Sequence, residues 1–211
     1  DLPPDNVIAE PSRRNTAPAI ALCTRMIEGQ LGDAAVAFLP SDHFIGDEAE
    51  FVRVLDRAFA FAESERALVT IGIEPAEPNT AYGYLELGEE IEPGLLRLRR
   101  FTEKPPLERA KEFLRAGNYT WNGGIFIWRA SVFRDEIRRV APELLGVTIE
   151  TYEQAPSISI DYAVMEKAAN VVTLRGDFGW SDVGSFEALR RVGVDVEAEL
   201  RRGGDGNRFN G

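Results

Sequence analysis

The 211-residue chain carries 24 Lys and Arg against 35 Asp and Glu, a formal net charge of −11, and this acidic balance excludes the basic face that wrapping nucleic acid or coating an anionic membrane requires. Hydrophobic residues make up 44% and charged residues 28%, a globular composition in a chain long enough to bury roughly 70% of its unfolded surface, which excludes disorder. Cys23 and His43 are each the one residue of their kind, which leaves no internal disulfide and argues against zinc clusters, Cys-His dyads and Ser-His-Asp triads.

Strand-like apolar runs alternate with helical stretches. Residues 6–9 read as a first strand, and residues 16–30 as a helix with Asn15 or Thr16 as N-cap and Pro18 in its first turn. Residues 34–39 form a short apolar strand, far below the ~18 residues of a membrane helix. In residues 47–62, Phe51, Leu55, Ala58, Phe59 and Ala62 fall at helical spacing behind a capping box of Asp47 and Glu50. Residues 67–73 make a third buried strand. The pattern then changes: residues 82–87 and 95–101 alternate with no helix between them and predict an inserted antiparallel pair. Helix over 107–116, strand over 124–128 and helix over 130–140 follow, then helix over 160–167, strand over 171–174 and helix over 185–192. Repeated alternation predicts an α/β sandwich with a mostly parallel central sheet. The expected domain is 1–192, with 193–211 a linker or the start of a C-terminal extension.

Three familiar motifs are missing. There is no Gly-x-x-x-x-Gly-Lys loop and no Gly-x-Gly-x-x-Gly after the first strand, and Gly179-Trp-Ser-Asp-Val-Gly184 spaces its second glycine one residue too late for a nucleophile elbow. What remains is a set of polar residues directly after apolar runs. Asp42, in Leu39-Pro-Ser-Asp-His43, falls at the carboxyl edge of an α/β sheet, where ligands collect. Asp182 sits among glycines that admit close backbone approach. Two such carboxylates suit Mg²⁺, which takes one or two acids plus substrate phosphates; a helix cap is the alternative for each. Glu103 and Lys104, side by side at a strand end before Pro105, suit a hydroxyl and a phosphate, and a solvated ion pair fits the same residues. The glycines of Trp121-Asn122-Gly123-Gly124 suit contact with a ligand or a tight turn.

In this order the segments resemble the nucleotidyltransferase domain of mannose-1-phosphate guanylyltransferases of the bacterial long type. The resemblance rests on Glu10-Pro-Ser-Arg-Arg-Asn-Thr-Ala-Pro-Ala19, Leu39-Pro-Ser-Asp-His43, Gly83-Tyr84, Phe101-Thr-Glu-Lys-Pro105, Trp121-Asn-Gly-Gly-Ile-Phe126, Ser159-Ile-Asp-Tyr-Ala-Val-Met-Glu-Lys167 and Trp180-Ser-Asp-Val-Gly184. It implies a Rossmann-like α/β domain that transfers GMP from GTP to α-D-mannose 1-phosphate with Mg²⁺, giving GDP-mannose and pyrophosphate in the cytoplasm. It implies Asp42 and Asp182 as metal ligands and Lys104 on the sugar phosphate. Glu103 and Asn122 would meet sugar hydroxyls, Gly83 would admit the sugar to the backbone, and Asp161 would support them. Asn15 and Thr16 stand in the first matching stretch as substrate-binding candidates. Glu10 is placed on guanine, since a carboxylate accepts from N1–H and the 2-amino group at once.

Gly123 stands where the family usually has serine, and Ala81 where glycine commonly precedes Tyr-Gly-Tyr. The family's opening strand and glycine-rich loop have no counterpart in these residues, so the expectation is a protein that extends upstream and a sheet with a vacant strand position. The partners implied are the two small substrates, with no nucleic acid and no membrane; a homodimer is compatible. Another hexose phosphate or base, or a non-catalytic nucleotide-sugar-binding relative, fits the same sequence.

Overall fold

A computed structural model describes residues 3, 6–184, 188, 190 and 193. The elements, in chain order, are α1 (Thr16–Leu31), β1 (Ala35–Phe38), α2 (Glu48–Ser64), β2 (Leu68–Ile73), β3 (Tyr84–Glu92), β4 (Leu95–Thr102), α3 (Leu107–Ala116), β5 (Tyr119–Arg129), α4 (Ala130–Val140), a π-helical turn (Asp161–Met165) and β6 (Val171–Gly176). Local chemistry sets the helix ends. Asn15, at φ 66°, accepts from the Thr16 N–H to open α1, and the Asp47 side chain accepts from Glu50 N–H to open α2. Gly117 closes α3 in the left-handed conformation.

The six strands form one continuous sheet in the order β1-β5-β2-β6-β4-β3, with β3 also pairing β5. Alternating side chains feed two cores. Leu68, Phe126, Trp128 and Val171 pack with α1, α4 and the π turn on one face. Val69, Ile71, Ile125, Ile127 and Val172 pack with α2 and α3 on the other. Strand β2, central in the sheet, is buried at all six positions. No helix among the described residues is long and apolar enough to cross a membrane.

The α/β layers and the antiparallel β3–β4 pair match expectation; four other readings are corrected. The sheet is mostly antiparallel, with β2–β6 the one parallel pairing. Strands β1, β2 and β6 do run the same way, but β5 runs against β1 and β2 and lies between them. The expected break in the sheet is absent: the described strands pair without a gap. Residues 6–9 pair with no strand among the described residues, and Val7 and Ile8 are exposed. Residues 160–167 form a π-helical turn rather than an α-helix. Most of the expected helix over 185–192, and nearly all of the tail 193–211, lie outside the described residues.

Candidate active site

A single row across the sheet gathers the polar segments. Ile73 pairs with Trp121, Trp121 with Tyr84, and Tyr84 with Thr102. That level marks the carboxyl end of β2, and it places residues 82–84, 102–104 and 121–124 side by side, where α/β sheets bind ligands. Of these, residues 82, 83, 103, 104 and 122–124 line a cleft of about 460 Å³, with Thr16, His43, Asp161, Trp180 and Asp182 also among its walls. Its size suits a small-molecule ligand.

On one wall Glu103 and Lys104 form an ion pair at 2.8 Å; the Glu103 side chain is 7% exposed and that of Lys104 57%. The hydrogen bond to Glu103 raises the lysine's pKa above its usual value, so its charge is secure. Lys104 adopts φ 45°, a left-handed backbone that costs a non-glycine residue roughly 1–2 kcal/mol. Such strain persists where surrounding contacts fix it, and it clusters at ligand sites.

Next to this pair, Asn122 Nδ2 donates to Asp161 Oδ1 at 3.1 Å while its Oδ1 accepts from the Thr70 hydroxyl at 2.9 Å. The amide is thus oriented from both ends. Burial first, and the Glu103 charge second, push the Asp161 carboxyl up to about 6. This value lies above the ~3.9 of an unfolded aspartate, so the stability attached to the neutral acid is complete below about 3.9 and is lost as the pH rises through about 6. Asp161→Asn, which never ionises, is therefore expected to melt higher than the parent at pH 8 and almost equally at pH 4. Melting curves at both values check this; the same difference at both would contradict it.

Gly83 is required by space. A Cβ there would lie 2.6 Å from Glu103 Oε2 and 3.1 Å from the Phe101 ring. Gly83→Ala is expected to displace Glu103 and break its ion pair with Lys104 while leaving the fold intact. A crystal structure of the variant beside a melting curve checks both parts.

The opposite wall is aromatic. The Tyr82 ring meets Trp121 and Trp180 edge-on at 4.9 and 5.4 Å, and Trp180 meets His43 at 5.3 Å. The Tyr82 hydroxyl donates to Asp182 Oδ1 at 2.6 Å. Trp180 Nε1–H donates to His43 Nδ1 at 3.0 Å, which leaves the proton of the neutral imidazole on Nε2. Burial lowers the His43 pKa, and the charges of Asp42 and Asp182 oppose that shift. Asp42 is exposed on the turn after β1, and a two-way backbone bridge between Phe44 and Ser181 ties that turn to the Asp182 loop. The two acids therefore stand close to either side of a shared bridge on one side of the sheet. No group of three His, Cys, Asp or Glu suited to a metal occurs among the described residues, so protein ligation would rest on these two carboxylates.

The other expected residues lie apart. The Tyr152 hydroxyl donates to Glu10 Oε2 at 2.5 Å, and Glu10, the carboxylate expected on guanine, lies outside the residues lining this cleft. Asn15 caps α1, while Thr16 reaches the cleft and its Oγ1 accepts from Ile160 N–H at 2.9 Å. Tyr82, Trp180, His43 and Thr70 were not anticipated; aromatic residues flanking glycines at 82, 121 and 180 were the available signal.

The nucleotidyl transferase family model matches residues 5–199. The chain belongs to the nucleotidyl transferase family. Among relatives, a mannose-1-phosphate guanylyltransferase of Sinorhizobium fredii is 40% identical over 202 residues, 87% of this chain and 39% of that protein. The xanthan biosynthesis protein XanB of Xanthomonas campestris is 39% identical over 99% of this chain and 46% of its own length. The chain thus spans less than half the length of these relatives. A solved structure described as mannose-1-phosphate geranyltransferase, from Thermus thermophilus, superposes with a TM-score of 0.81 at 37% identity, over 88% of this chain and 57% of that one. In this nucleotidyl transferase the cleft holds seven positions expected from the sequence, Thr16, Gly83, Glu103, Lys104, Asn122, Asp161 and Asp182.

Proposed function

We propose that this nucleotidyl transferase moves GMP from GTP to α-D-mannose 1-phosphate, giving GDP-mannose and pyrophosphate. The observation that supports it best is the clustering of one exposed cation, Lys104, with the Glu103, Asp161 and Asn122 hydrogen-bonding groups in a single cleft opposite Asp182. Such a wall offers a sugar phosphate both its charge partner and its hydroxyl partners. The names of the relatives favour mannose as the sugar and guanine as the base.

In the reaction a phosphate oxygen of the sugar phosphate bonds to the α-phosphorus of GTP as the bond from that phosphorus to the β-phosphate bridging oxygen breaks. No protein nucleophile is needed, so alignment of two anions is the main task. The Lys104 ammonium holds the attacking phosphate. Asp161 and Glu103 accept from ring hydroxyls, while Asn122, held by Thr70 and Asp161, keeps that surface rigid. The Tyr82 and Trp180 rings give the cleft an apolar surface that excludes water there.

Asp42 and Asp182 would hold a divalent cation, Mg²⁺ in this reading; their hard oxygens and the absence of thiolate or a second imidazole suit it, and substrate phosphates would complete the shell. The cation supplies neutralisation of charge on the phosphates. Tyr82 and the Gly184 N–H orient Asp182 through Oδ1.

The test offers the purified protein GTP, UTP or ATP with mannose 1-phosphate or glucose 1-phosphate, with Mg²⁺ and again after chelation, and reads pyrophosphate release and product mass. GDP-mannose from the first pairing, lost on chelation and restored by Mg²⁺, is expected. Preference for another base or sugar would overturn the substrate assignment, and undiminished activity after chelation would overturn the metal assignment.

A further inference from the structure

Lys104 keeps its left-handed backbone only while the residues on either side of it are fixed. Pro105 favours extended backbone at the residue before it and so works against that conformation from one side. On the other, the Glu103 N–H donates to Glu166 Oε1 at 2.9 Å, across 63 residues of sequence. Glu166 follows the π-helical turn and caps it, its own N–H donating to Asp161 O. A π turn holds one residue more than an α turn, which rotates the side chains that follow by about 100°. That rotation lets one short turn carry two acids to two places: Asp161 to the Asn122 amide inside the cleft, and Glu166 to the backbone behind the Glu103–Lys104 pair. The base of the turn is tied to α1 by Ile160 N–H on Thr16 Oγ1 and by Ala17 N–H on Ile158 O, so the acids rest on a fixed support.

We propose that Glu166 is a positioning residue for Lys104, acting through the Glu103 amide. It does not line the cleft and is exposed. Its carboxylate takes a backbone donor that would otherwise leave residues 102–104 free to relax toward an unstrained conformation and carry the ammonium away from the attacking phosphate. The kinetic part of this proposal rests on the reading of Lys104 as the sugar-phosphate anchor.

Glu166→Ala and Glu166→Gln in the purified protein test it. The alanine variant is expected to raise KM for mannose 1-phosphate about tenfold, with kcat and the KM for GTP within about twofold of the parent. Glutamine, whose amide oxygen still accepts, is expected to restore most of the loss. Hydrogen–deuterium exchange of the peptide spanning residues 101–104 is read alongside, with faster exchange in the alanine variant and recovery in the glutamine variant. Equal losses for both substrates, no change in the alanine variant, or glutamine performing no better than alanine would overturn the proposal. If the parent protein makes no GDP-mannose, the substrate reading fails on its own. The exchange data then decide the role of Glu166: faster exchange with alanine and recovery with glutamine supports it, and unchanged exchange overturns it.

Discussion

In the proposed reaction, replacing Asp182 with asparagine is expected to cut GDP-mannose formation by about 10²–10³-fold while leaving the melting temperature almost unchanged. The two parts separate because of how the side chain is held. Its Oδ1 accepts from the Tyr82 hydroxyl at 2.6 Å and from the Gly184 N–H at 3.3 Å, and an asparagine carbonyl accepts both in the same place at nearly the same volume. What disappears is the negative charge, and with it the hard anionic ligand that Asp182 would offer the proposed divalent cation. The loss should shrink as Mg²⁺ is raised, because weaker binding is offset by mass action. Turnover measured against Mg²⁺ concentration, beside a thermal melt, checks both parts. Retained turnover at low Mg²⁺ would remove Asp182 from the metal assignment, and a large drop in melting temperature would show that its charge serves the fold.

The helices were legible because their information is local. The spacing in residues 107–116 and 130–140 gave α3 and α4 their bounds, and Asp47 capped α2 as its position suggested. The sheet was less legible, since alternation of strand and helix says nothing about strand direction. Strand β5 was placed at 124–128 because Asn122, Gly123 and Gly124 read as a turn. They instead form an irregularity inside an eleven-residue strand, with Gly124 at φ 68° and the partner register shifting between Thr70 and Gly72. A Cβ at Gly123 would lie 3.1 Å from Ile71 O, so that glycine serves close strand contact. In the cleft, residues with unusual neighbours, such as Lys104 before proline and Asp182 among glycines, could be found from the sequence. Glu166 and Thr70 could not, because each acts through a hydrogen bond to a distant segment. The tie of Glu10 to Tyr152 was hidden for the same reason, its partner lying 142 residues away.

Lys104→Met is expected to lower kcat/KM for mannose 1-phosphate by about 10²–10³-fold and to leave the KM for GTP within a few-fold. Methionine keeps much of the side-chain length and removes the charge that, in the proposed reaction, holds the attacking phosphate. A second effect must be separated from the first. Glu103 is nearly buried, at 7% side-chain exposure, and Lys104 is its ion-pair partner; removing the lysine leaves that carboxylate without its counter-ion, at a cost of roughly 1–3 kcal/mol. The single variant should therefore melt lower than the parent. Adding Glu103→Gln removes the unpaired charge and should restore the melting temperature. It should not restore activity, since the phosphate still lacks its cation. A double variant that recovers both stability and turnover would mean that Lys104 serves only to neutralise Glu103, and the phosphate would then have to be held by another residue.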